Sequence, residues 1–161
     1  MGWFIVLLIA GYFAYHYLTS ELPKKTTGAY QRESLHKVDY DGQLPGPGKY
    51  GVDIVGESKY QDNLEKLAGG RDEESVEIEV VAVLILEDNN PYDSNAVRVD
   101  IEGITVGYFS RSDAVDYRRK IAEPGAQDKT LACKALIVGG WERVNDKGHF
   151  GVKLDLPTDE D

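Results

Sequence analysis

The chain has 161 residues, with 18 Lys and Arg against 28 Asp and Glu, and a net charge of −10 at pH 7. That length bounds one main domain, and the acidic balance excludes a broad basic surface of the kind that coats duplex DNA, whose affinity comes mainly from neutralised phosphates. Cys133 is the single cysteine, which excludes a disulfide within the chain, and His16, His36 and His149 have no metal-ligand spacing, so neither a metal nor another cofactor is expected.

Residues 2–20 carry no formally charged side chain. As a helix they would span about 28 Å, close to the thickness of a bilayer's hydrocarbon core. Trp3 at one end and Tyr12, Tyr15 and Tyr17 toward the other suit membrane interfaces. No Lys or Arg precedes the run and Leu18-Thr19-Ser20-Glu21 is a poor cleavage site, so residues 1–20 read as an uncleaved transmembrane anchor rather than a signal peptide. Lys24 and Lys25 follow it. The positive-inside rule then places the C-terminal module in the cytoplasm, on an inner or plasma membrane. Residues 21–51, broken by Pro23, Gly28, Gly42, Pro45-Gly46-Pro47-Gly48 and Gly51, read as a flexible linker.

Beyond the linker the pattern becomes regular. Gly51–Gly56 reads as a first strand, and Gln61–Leu67 as a short helix stopped by Gly69-Gly70. Residues 75–86 alternate: Val76, Ile78, Val80, Ala82, Leu84 and Leu86 point one way, and Glu77, Glu79, Val81, Val83 and Ile85 the other. Residues 96–101 and 104–109 form a hairpin across Glu102-Gly103. Ser110 with Asp113 makes a capping box for a helix through Ile121, ended by Pro124-Gly125. Residues 130–138 and 149–156 supply the last strands, and 157–161 an acidic tail. Short strands with two short helices predict a mainly β, partly open barrel.

The densest local signal is Asn90-Pro91-Tyr92-Asp93-Ser94-Asn95-Ala96-Val97-Arg98-Val99. Proline fixes φ and holds Asn90 extended, while Asp93, Ser94 and Asn95 hydrogen-bond their own backbone, so the loop is braced and then runs into a strand. Upstream lies Val55-Gly56-Glu57-Ser58-Lys59-Tyr60, and downstream Val106-Gly107-Tyr108. This order of motifs, over residues 52–156, resembles the HIRAN domain. The resemblance implies a small OB-like β-barrel. In eukaryotic relatives fused to helicases that module grips the 3′ end of single-stranded DNA, and bacterial and phage relatives carry it in other settings. It implies that Tyr92 stacks on a base and Asp93 meets the terminal hydroxyl, with Tyr60, Tyr108 and Arg111 as further contacts. Where the family often has basic and aromatic residues before the tyrosine, this chain has Ser58 and Lys59, so Lys59 becomes the candidate phosphate contact.

No phosphate-cradling loop, nucleophile elbow or metal-spaced set is present, so no enzyme activity is expected. Arg118-Arg119-Lys120, the only basic triplet, reads as a solvated face that complements a helix dipole. Two functions from different classes stand. One is a membrane-anchored module that recognises a single-stranded DNA end, with a helicase or nuclease partner supplying any motor or cleavage. The other is a membrane-anchored protein-interaction domain that binds no nucleic acid.

Overall fold

In the computed structural model, residues 39–158 are described. The apolar segment 2–20, most of the expected linker and the last three residues of the acidic tail lie outside them. Among the described residues no helix is long and apolar enough to cross a membrane.

The alternation at 75–86 becomes strand β3, Val76–Leu86, the longest of the sheet. Two shorter strands precede it, β1 (Gly42–Gln43) and β2 (Val52–Asp53). Those that follow are β4 (Val97–Ile101), β5 (Ile104–Tyr108), β6 (Leu131–Gly139), β7 (Glu142–Arg143), β8 (Asp146–Lys147) and β9 (Phe150–Leu154). Helix α1 covers Gln61–Ala68 and α2 covers Arg111–Ala122. The main sheet runs β2-β9-β6-β3-β4-β5, with β1 added parallel to β6, and β7 and β8 form a separate hairpin. β3 is the hinge of this arrangement. Its first nine residues pair with β6, and its last five pair with β4.

The two edges of the sheet are joined by one short segment. Val52 and Asp53 pair with Leu154 and Lys153, and two residues later Val55 exchanges both backbone hydrogen bonds with Tyr108, at 2.7 and 2.9 Å. The sheet is therefore curled into a half-barrel, in line with the partly open barrel expected of this run of strands. Helix α1 seals the seam with polar side chains. Gln61 accepts from the Phe150 amide (2.8 Å) and donates to its carbonyl (2.9 Å), standing in for a strand partner. Asn63 donates to the Thr105 carbonyl on the other edge.

The inner face follows the period of two: Val80, Ala82 and Leu84 of β3, Val97, Val99 and Ile101 of β4, and Phe150, Val152 and Leu154 of β9 are all buried. The outer face of β3 turns from solvent to cover, but one step later than the alternation implies. Val81, opposite Lys134, remains 40 % exposed, while Val83, between Asp100 and Ala132, is buried. Cys133 lies in the core, and burial followed by the Asp155 charge pushes its thiol up to about 12. A thiol-specific reagent should therefore leave the folded chain unmodified at pH 8 and label one thiol on unfolding; rapid labelling of the folded chain would place Cys133 outside the core.

The described end of the 21–51 segment departs from a flexible linker. Residues 41–44 run beside β6, with Asp41 and Leu44 donating to the Thr130 and Ala132 carbonyls. The chain then wraps the Asp155 carboxylate, whose Oδ1 accepts from the amides of Gly48 (2.7 Å), Lys49 (3.1 Å) and Tyr50 (3.4 Å). A Cβ at Gly46 would overlap that carboxylate, so glycine here serves close approach rather than flexibility. Tyr50, at φ +48°, is anchored by its hydroxyl donating to Glu79.

Candidate nucleic-acid interface

The Asn90–Asn95 loop leaves β3 and enters β4, and its shape follows from a few short polar side chains. Asn90 Oδ1 accepts from the Tyr92 and Asp93 amides (2.9 and 3.3 Å), and Asp93 Oδ1 accepts from the Asn95 amide (2.9 Å). The Ala96 amide returns to the Asp93 carbonyl at 3.0 Å. Tyr92, whose backbone these bonds fix, leaves its ring 88 % exposed. An aromatic ring held in water on a braced loop has no packing role to explain it.

Beneath the loop lies a charge network. Asn90 Nδ2 donates to Glu87 (2.7 Å), Glu87 accepts from Arg98 (2.6 Å), and Arg98 holds both oxygens of the buried Asp100 at 3.0 and 3.2 Å. Thr105 adds a hydroxyl to Asp100 (2.9 Å). A shift in register between Val99 and Asp100 accompanies this cluster on β4. Arg98 is thus spent on two carboxylates.

Tyr108 at the end of β5 faces Arg98 in register, and the Val55 bridge sets the Glu57–Lys59 turn beside it. Tyr60 follows that turn and lies near enough to Tyr108 to act on its hydroxyl. Burial first, then the Glu87 charge and Tyr60, push the Tyr108 hydroxyl up to about 12, against the opposing pull of Arg98. Its folded value lies above the ordinary 10, so the stability it contributes is full below pH 10 and is lost as pH rises through about 12. The melting midpoint should fall over that window, and Tyr108→Phe should flatten the fall. An unchanged alkaline slope in Tyr108→Phe would place the phenol in solvent.

Arg111 opens α2, directly after the Ser110 cap, whose side chain accepts from the Asp113 amide at 3.2 Å. Its guanidinium is 85 % exposed and stands 4.0 Å from Asp93 Oδ2. Lys59 is exposed and has no carboxylate partner among the described residues. The structure therefore links Asp93 with Arg111 and sets Tyr60 near Tyr108, while Tyr92 is exposed on the loop between β3 and β4. Among the described residues no three His, Cys, Asp or Glu side chains converge as a metal site requires.

Arg118 differs from the solvated face expected of the basic triplet. It donates to the Asn95 carbonyl (2.8 Å), the Ala96 carbonyl (3.0 Å) and the Asp88 carboxylate (2.6 Å), because α2 lies against the loop. Its seven-residue spacing from Arg111 puts both on one helix face, a signal readable from the sequence. Arg119 instead pairs with Asp116 along the helix. Glu87, another support of the loop, carries no local signal of its role. An apolar cavity of about 540 Å³, lined by Leu44, Phe109, Tyr117, Ile121 and Leu156 among others, contains none of the six predicted site residues.

No family model and no curated protein matches the chain. One solved structure, the crystal structure of the HIRAN domain of human HLTF, is similar over 53 % of this chain and 78 % of that chain, at 21 % identity and a TM-score of 0.26.

Proposed function

We propose that residues 52–156 bind the free 3′ end of a single DNA strand at the Tyr92 loop, with Tyr92 stacking on a base, Asp93 accepting the terminal hydroxyl, and Lys59 and Arg111 meeting phosphates. The observation that carries this reading is Tyr92 itself, 88 % exposed on a loop whose backbone is fixed before any ligand arrives. A preorganised aromatic loses little entropy on stacking, which is worth about 1–3 kcal/mol per base. Tyr60 and Tyr108 supply a second aromatic surface.

The charges favour an end over a track. Arg98 is bound to Glu87 and Asp100, and Arg118 to Asp88, so neither is free for phosphate. Lys59 and the loosely held Arg111 remain. Two phosphate contacts give a slope of about −1.4 for log K against log salt on a single strand. Titration of the full chain with a short oligonucleotide between 50 and 200 mM salt should return that shallow slope; one steeper than about −3 would mean a basic track elsewhere.

The rival reading, a protein-interaction domain, draws on the apolar cavity beside α2 and on 13 Lys and Arg against 21 Asp and Glu over residues 52–156. Absent oligonucleotide binding at any salt would favour it. In either case we propose that residues 2–20 hold the module at an inner or plasma membrane, cytoplasmic side, a reading supported by their length and lack of charge. Protease added outside sealed cells should spare the module. Its digestion there would reverse the orientation, and recovery of the whole chain without detergent would remove the anchor. Catalysis has no place in this proposal, and any strand remodelling falls to a helicase or nuclease partner.

A further inference from the structure

We infer that Arg118 is the positioning residue of the Tyr92 loop, and that α2 is the rail on which end recognition is built. The inference rests on the reading of that loop as the binding lip. Arg118 touches neither Tyr92 nor Asp93. Its guanidinium, 19 % exposed, instead ties together three points at the base of the loop: the Asp88 carboxylate where the loop departs from β3, and the Asn95 and Ala96 carbonyls where it returns to β4. The Ala96 carbonyl also accepts the Glu87 amide (3.0 Å), and a planar fork with several fixed donors is the side chain that reaches both carbonyls while keeping one edge for a carboxylate.

Two turns away on the same helix face, Arg111 stands 4.0 Å from Asp93. The spacing between Asp93 and Arg111 is therefore set by how the loop base is seated at Arg118. A contact with a terminal hydroxyl depends on a few tenths of an ångström, so a loop that swings off α2 would keep its exposed ring for stacking and lose its discrimination between ends. Arg118 thus acts on specificity more than on affinity. Tyr92 governs affinity.

The test compares wild type, Arg118→Ala and Arg118→Lys as full chains, by two readouts. Without ligand, hydrogen exchange of the amides between 88 and 96 should quicken at least tenfold in Arg118→Ala, with helix and core amides unchanged. With oligonucleotides, the ratio of affinities for 3′-hydroxyl and 3′-phosphate ends should fall several-fold toward parity in Arg118→Ala, while affinity for the free end falls less. Arg118→Lys should not restore the ratio, because one ammonium cannot span two carbonyls and a carboxylate. Unchanged exchange in Arg118→Ala, or a full end preference in either variant, would overturn the inference. If wild type binds no oligonucleotide, the exchange result still decides whether the clamp exists, and it is the nucleic-acid role that falls.

Discussion

Phe150→Ala is expected to cost about 3–5 kcal/mol of stability, the largest effect of any single truncation in the barrel. Phe150 is 2 % exposed and begins β9, the strand that carries the closing segment 52–55. The Arg71 guanidinium lies 4.7 Å from its ring centre, and a Cβ at Gly140 would overlap the ring, so the cavity left by alanine has rigid walls. Its backbone is held in both directions by Gln61, which keeps the strand from relaxing inward. Gly140→Ala should destabilise as well, since φ there is +73° and the new methyl meets the ring. Urea melts of the variants check both. A loss below about 1 kcal/mol for Phe150→Ala would mean that β9 does not close the barrel.

Tyr92→Ala is expected to do the opposite. Loss of the stacking ring should weaken oligonucleotide binding by about 1–3 kcal/mol, between about fivefold and 150-fold. Stability should move by no more than about 0.5 kcal/mol, because the exposed ring contributes no packing and the loop is held by Asn90, Asp93 and Arg118. A large fall in melting temperature with unchanged binding would mean that the ring is a structural part of the turn.

Local signals in the chain were sufficient for most of the barrel. The alternation from Val76 to Leu86 carries its own face assignment, the Glu102-Gly103 turn fixes the β4–β5 hairpin, and Ser110 with Asp113 marks the start of α2; each depends on residues within a few positions. What escaped depends on distance. The proline-glycine stretch before Tyr50 shows no periodicity, and its order comes from Asp155, 107 positions from Gly48. Gln61 sits on a helix whose pattern gives no hint that its amide substitutes for a strand. At the candidate site, the sequence named the tip, Tyr92 and Asp93, because turn chemistry is local. It did not name the base, where Glu87 just after β3, Arg98 on β4 and Arg118 on α2 support the loop. Arg98 is neutralised by Asp100, two residues along the same strand, and by Glu87, which the return of the chain from β3 to β4 brings to it.

The most direct measurement is the affinity of the full wild-type chain for one short single strand with three ends: a free 3′-hydroxyl, a 3′-phosphate and a 5′-phosphate. If Asp93 accepts the terminal hydroxyl, a 3′-phosphate brings negative charge against the carboxylate, so that strand should bind more weakly than the free end while the 5′-phosphate makes no comparable difference. Asp93→Asn should then lose affinity for the free end and narrow the gap. Equal affinity of the wild-type chain for free and phosphorylated 3′ ends would contradict end recognition.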